Sequence, residues 1–159
     1  MEEPFAGVKM ISAWTAAETL AAMEEILDNY SSLLPREKST PILVKPNLNN
    51  DLSGLTGGST DLRALHAFVS ALKGRGYKKI AIADGSNVGV ERRNINTAKR
   101  LRIDRLASLL GVEMLDLNRD EGVEISLASR KARVSRTCLE APFFVSMPKV
   151  KTHAEAGMS

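Results

Sequence analysis

The sequence predicts an α/β fold, an open, mostly parallel sheet with helices on both faces, and three observations carry that expectation. Short continuous apolar runs recur at Ile42-Leu43-Val44, Ile80-Ala81-Ile82-Ala83 and Phe143-Phe144-Val145-Ser146-Met147, the pattern of strands buried in a parallel sheet. Between them lie segments whose apolar residues repeat at spacings of three and four, the mark of amphipathic helices. The chain has 159 residues, 43% of them hydrophobic, enough for one core of ordinary density with no internal boundary.

Taken in order, Thr15-Ala16-Ala17-Glu18 reads as a capping box at a helix start. Leu20, Met23, Leu27, Tyr30 and Leu34 then form one apolar stripe, and Pro35 is the expected stop. Ile42-Leu43-Val44 is the first strand, closed by Lys45-Pro46. Leu62, Leu65, Phe68, Val69 and Leu72 predict a helix over 61–73, with Ser59 or Thr60 as N-cap and Gly74 or Gly76 as terminator. The run ending at Asp84 completes a β-α-β unit. A helix over 103–110 stopped by Gly111 and a strand over 112–117 continue the alternation. Segments 123–127 and 132–135 read as a hairpin or ribbon on the sheet edge. The last apolar strand, between Pro142 and Pro148, is expected near the sheet centre. Together these elements give a Rossmann-like, three-layer arrangement. A parallel strand ending at Pro148 ordinarily passes into a covering helix, so the ending at Ser159 predicts that the sequence is part of a longer chain.

Composition narrows the function classes. Apolar stretches of three or four residues fall far short of the ~20 that a membrane-spanning helix needs. The opening Met1-Glu2-Glu3-Pro4 is acidic and lacks an apolar stretch behind it, unlike a secretory signal, which predicts a cytoplasmic protein. Cys138 is the single cysteine, so the chain itself makes no internal disulfide and holds no cysteine-rich metal or iron–sulfur site. No Cys-x-x-Cys or His-Glu-x-x-His motif occurs, and no metal site is predicted. The net charge of +3 divides into −5 over residues 1–35 and +8 over the remainder. Much of the surplus sits in the runs 92–105 and 130–136. These are either solvated faces or the footprint of a nucleic-acid or protein partner, and the lack of interleaved aromatics disfavours nucleic acid.

In open parallel sheets ligands bind beyond the carboxyl ends of the strands, so the strand exits carry the functional expectation. The first exit, Lys45-Pro46-Asn47, opens a loop of thirteen residues, long for a strand-to-helix connection. It contains Gly54, Gly57 and Gly58 and delivers Ser59 and Thr60 to a helix start, where free amides favour an anion. The glycines and hydroxyls equally suit plain turns and caps. No P-loop or dinucleotide fingerprint is present. The second exit, Asp84-Gly85-Ser86-Asn87, offers a carboxylate and a hydroxyl at the same edge. The third is Pro148-Lys149-Val150-Lys151-Thr152-His153. Lys149 and His153, four apart, share a side whether the segment is extended or helical, and Lys151 joins them if it is extended. Ammonium groups beside an imidazole are expected to keep it neutral and able to accept a proton.

With Lys45-Pro46-Asn47, Ser59-Thr60-Asp61, 73–79, Asp84-Gly85-Ser86 and Met147 through His153 in that order, residues 40–159 resemble the domain of unknown function 362 family. The resemblance implies an iron–sulfur or electron-transfer context, since members often carry four-iron (4Fe-4S) clusters in a ferredoxin-like segment elsewhere in the chain, with a redox partner. It also implies that the domain continues past Lys-Thr-His. The emphasis it carries falls on Lys45, Pro46 and Asn47 and on Pro148, Lys149, Lys151, Thr152 and His153.

The expected function is binding of a small carboxylate or phosphate at this edge. Lys45, Asn47, Gly57, Gly58, Ser59, Thr60, Ser86, Lys149, Lys151 and Thr152 are the candidate ligand residues, with Asp84 and His153 as candidate acid/base groups.

Overall fold

The computed structural model describes residues 8–48, 50–128, 130–153 and 157–158, the last two and His153 by backbone alone. The first element, α1 (Ala16–Asn29), begins with the expected capping box. The Thr15 hydroxyl accepts the Glu18 N–H at 3.1 Å, and the Glu18 carboxylate accepts the Thr15 and Trp14 N–H groups at 2.9 Å. Those amide bonds, from Thr15 first, hold the Glu18 carboxyl below its ordinary pKa. The helix stops before Leu34. It ends at Tyr30 and tightens into a 3₁₀ turn over Ser31–Leu33, because Asn29, Ser31 and Ser32 are weak helix formers.

A β-α-β unit follows: β1 (Ile42–Pro46), α2 (Leu62–Gly74) and β2 (Ile80–Asp84), with β1 and β2 parallel. The N-cap of α2 is Asp61 rather than Ser59 or Thr60; its carboxylate accepts the Arg63 N–H at 2.8 Å. Two single turns, α3 (Val88–Glu91) and α4 (Thr97–Arg100), are capped by the Asn87 and Asn96 side chains. Next, α5 (Ile103–Leu110) ends at Gly111, whose φ of +62° is the left-handed conformation that glycine adopts at least cost. It leads into β3 (Glu113–Asp116). The strands β4 (Gly122–Leu127) and β5 (Arg130–Ser135) form an antiparallel hairpin with its own two-stranded ladder, separate from the main sheet. One turn of helix, α6 (Arg136–Glu140), precedes β6 (Phe143–Met147), and β7 (Thr152–His153) pairs with β8 (Gly157–Met158).

The main sheet has the order β3-β2-β1-β6, with every ladder parallel and with flanking helices, so the fold is an open Rossmann-like α/β sheet. Its last strand corrects one expectation. Among the described residues β6 pairs only with β1 and lies at the edge, not the centre, and Phe144 is 42% exposed. The apolar run reports one buried face, which an edge strand also has.

One face of the sheet carries the core. Ile42, Val44, Ile80 and Ile82 pack against Leu65, Val69 and Leu72 of α2, with Leu27 of α1 and Ile103 and Ala107 of α5 completing the cluster. Tyr77, buried after α2, donates its hydroxyl to the Pro35 carbonyl at 2.6 Å while the Lys38 ammonium stands 4.0 Å over its ring. The turn into β2 is thereby fixed to the segment before β1. No helix among the described residues is long and apolar enough to cross a membrane.

Candidate functional site

Parallel pairing sends all four strand exits to one edge. Lys45 lies opposite Ser146 and Pro46 opposite Met147, so the β1 and β6 exits leave side by side. Asp84 lies opposite Asp116, which puts the β2 and β3 exits in the same row. Lys45 and the segment beginning at Pro148 therefore share a rim.

At the β1–β2 junction the side chains close on one another. The Lys45 Nζ is 2.7 Å from Asp84 Oδ1, and Asp84 Oδ2 accepts the Leu48 N–H at 2.6 Å. Asp84 is only 8% exposed, whereas the Lys45 side chain is 36% exposed. Burying a carboxylate is costly unless a counter-charge and hydrogen bonds compensate it, and here both oxygens are engaged. The chain after β1 is thus anchored to the end of β2 by a charge-assisted backbone bond.

Thr60 joins the other two segments. Its hydroxyl accepts the Asn47 N–H at 2.8 Å and donates to the Met147 carbonyl at 2.7 Å, while its own N–H donates to the Asn47 carbonyl at 2.9 Å. One buried side chain therefore holds the β1 exit, the β6 exit and the start of α2 together. Ser59 is fully buried and donates to the Asn50 carbonyl at 3.4 Å. Gly57, at φ +83°, supplies the left-handed step that ends the 3₁₀ turn Gly54–Thr56, and Gly58 follows it toward Ser59. The loop between β1 and α2 is consequently built from internal bonds.

Beside Thr60 stands a charge cluster that the motif pattern leaves unmarked. Asp61 takes Arg63 in a forked contact, Nε to Oδ1 at 3.1 Å and Nη2 to Oδ2 at 2.6 Å. The Asp61 carboxyl is held below its ordinary pKa, first by the Arg63 side-chain bonds, then by the Arg63 N–H and by the charges of Arg63 and Lys149; burial opposes them. Lys149 is half-buried, and its charge reaches Asp61 without a hydrogen bond or ion pair of its own among the described residues. The only sequence signal for this cluster is Asp-x-Arg at a helix start.

Ser86 is turned away from this cluster. Its hydroxyl accepts the Thr97 N–H at 3.0 Å and lies 3.1 Å from the Thr97 hydroxyl, while its carbonyl accepts Asn118 Nδ2 at 2.9 Å. It ties the β2 exit to α4. Lys151 is half-buried and Thr152 exposed in the non-helical stretch after β6, and the His153 side chain lies outside the described residues. No group of three or more His, Cys, Asp or Glu side chains suited to a metal ion occurs among the described residues.

The basic runs are partly neutralised. Arg93 pairs with Asp51 at 3.1 Å, Lys131 with Glu124 at 2.6 Å, and Arg136 with both Glu121 and Glu140.

A family model described as a domain of unknown function (DUF362) matches residues 42–159, a span that takes in every exit described above. No curated protein and no solved structure matches the chain.

Proposed function

The chain belongs to the DUF362 family, and from that premise we propose that it binds a small carboxylate or phosphate at the carboxyl edge of its sheet, between the β1 and β6 exits. The observation that carries the reading is the charge balance around Thr60. Three cations, Lys45, Arg63 and Lys149, meet two carboxylates, Asp84 and Asp61. Lys45 and Arg63 are spent on those carboxylates, so Lys149 supplies the surplus positive charge. It sits beside the start of α2, where helix geometry adds further attraction for an anion.

In this reading Asp84 holds Lys45 and the Leu48 amide in place rather than passing a proton, since both of its oxygens are occupied. Thr60 sets the distance between the two exits. Lys151 and Thr152, next along the same segment, complete the rim.

The test is anion-dependent stabilisation. A ligand that binds only the folded chain raises the melting temperature with its concentration. Phosphate or citrate at matched ionic strength should raise the Tm of the wild type above its value in chloride. The Lys149→Met variant and the Lys149→Met, Lys151→Met pair should lose that increment. An increment preserved in the double variant overturns the proposal.

A further inference from the structure

We propose that the cleft between the start of α2 and the junction of α4 with α5 binds an amphipathic anion, a single carboxylate or phosphate carried on an apolar body. The cleft is a cavity of about 380 Å³, within the range that small-molecule sites occupy. Its wall is mostly apolar, built from Leu55, Leu62, Leu101 and Ile103. Leu55 is 79% and Leu62 39% exposed, so these side chains present hydrocarbon to solvent beside a concave surface.

Arg63, Arg100 and Arg102 supply the positive charge around this cavity, against the one carboxylate of its lining, Asp61. Arg63 is committed to Asp61 and to the Trp14 carbonyl. The Arg100 and Arg102 side chains make no hydrogen bond or ion pair among the described residues. Two weakly hydrated guanidinium groups at the edge of an aliphatic cavity suit a planar carboxylate or a phosphate, which they can grip in forked pairs. The absence of an aromatic side chain from the lining removes the stacking surface that a nucleobase would use.

The backbone gives a second reason to single out Arg102. It stands at φ +62°, just before α5, with no side-chain cap. Of the other non-glycine residues at positive φ, Asn94 is a type that tolerates it and Ala128 occupies the β4–β5 turn. Glycine would fit position 102 with less strain, so a long cationic side chain there has a use beyond the turn. This cavity takes part of the basic run 92–105 that the sheet edge does not employ, and it adjoins the edge site through Thr60, Asp61 and Arg63, which line both.

Octanoate, octyl phosphate, octanol and inorganic phosphate, titrated into the full chain and followed by backbone amide resonances, test it. Octanoate or octyl phosphate should shift the amides of Leu55, Leu62 and 100–103, and the tighter of the two identifies the head group. Read at the amides of Leu55 and 100–103, away from the sheet edge, octanol and inorganic phosphate should each bind at least ~10-fold more weakly, because each lacks one half of the recognised chemistry. Arg100→Gln with Arg102→Gly should weaken the amphiphile by ~10-fold or more, the loss expected on removing charge-assisted bonds. Arg102→Gly alone relieves the left-handed backbone, so its Tm should match or exceed the wild type while its affinity falls. Equal binding of octanol and octanoate, phosphate binding as tightly as octyl phosphate, unchanged affinity in the double variant, or no shift at these amides each overturns the proposal.

Discussion

The β1–β2 junction and the β6 exit leave the same edge of one sheet, and both are marked by lysine next to proline, yet they are built in opposite ways. At the first, Lys45, Asp84 and the Leu48 amide close on one another, and the carboxylate is 8% exposed. At the second, Val150 is 79% exposed and Lys149 keeps its ammonium free of direct partners among the described residues. A charge that completes a buried set of bonds holds the fold; a charge left over beside that set is the one available to a ligand. The contrast predicts that stability and anion response separate cleanly between the two lysine motifs.

The largest effect falls on the closed side. Asp84→Ala strands Lys45 and removes the acceptor of the Leu48 amide; with Lys45 partly open to solvent, the loss should be about 3 kcal/mol, the lower end for breaking a buried pair. Lys149→Ala should change stability by less than about 0.5 kcal/mol, since the half-buried side chain makes no hydrogen bond or ion pair among the described residues. Lys45→Met combined with Asp84→Asn should lose less than Asp84→Ala, because no charge is stranded and asparagine still accepts the amide. Urea unfolding at neutral pH checks all three. Equal losses at Asp84 and Lys149 would erase the distinction.

The fastening between the two exits comes next in size. Thr60→Val keeps the volume but deletes the acceptor of the Asn47 N–H and the donor to the Met147 carbonyl, at a cost of about 2 kcal/mol for two buried groups left without these bonds. Thr60→Ser keeps both bonds and should lose less than half as much. Amide hydrogen exchange at Asn47 should speed up in the valine variant and not in the serine variant. An Asn47 amide that stays protected in both would mean that the exits hold together without the hydroxyl.

These residues also show how far local pattern reaches. The helix over 103–110 is legible to its ends because Gly111 stops it, and the three long apolar runs appear as strands where contiguous side chains demand burial. The edge position of β6 is not legible, since strand order depends on which runs pair and not on any one of them. Asp61, Thr60 and Ser59 are all competent caps; Asp61 serves because Thr60 is drawn off by Asn47 and Met147 and Ser59 by Asn50, partners that only the tertiary fold brings near. The same limit hides the Lys45–Asp84 pair. Exits point to a shared edge, but which polar groups there will satisfy one another depends on distances that spacing along the chain does not contain. The short α3 and α4 do carry a local signal in their capping asparagines, Asn87 and Asn96, whereas α6 is a single turn whose cap, Ser135, also ends β5.

The smallest expected effect sharpens the comparison from the open side. Asp61 titrates below its ordinary value because Arg63 binds its ionised form, with Lys149 adding to the field. A carboxyl with a depressed folded pKa contributes stability above its unfolded value, 3.8 for an ordinary aspartate, and loses it as pH falls through the lower folded value. Asp61→Asn isolates that ionic part, because asparagine remains a good N-cap for the Arg63 amide. Since Arg63 is well exposed, solvent screening limits the difference between wild type and variant to about 0.5 kcal/mol at pH 7. The difference should shrink as pH falls through the folded pKa of Asp61 and its carboxyl takes up a proton, and shrink in high salt. Lys149→Met should narrow it further at pH 7, in keeping with a cation that acts on Asp61 through space. A difference that persists unchanged at acid pH would show that Asp61 works through its cap geometry alone, and Lys149 would then be left without the electrostatic partner that places it at the start of α2.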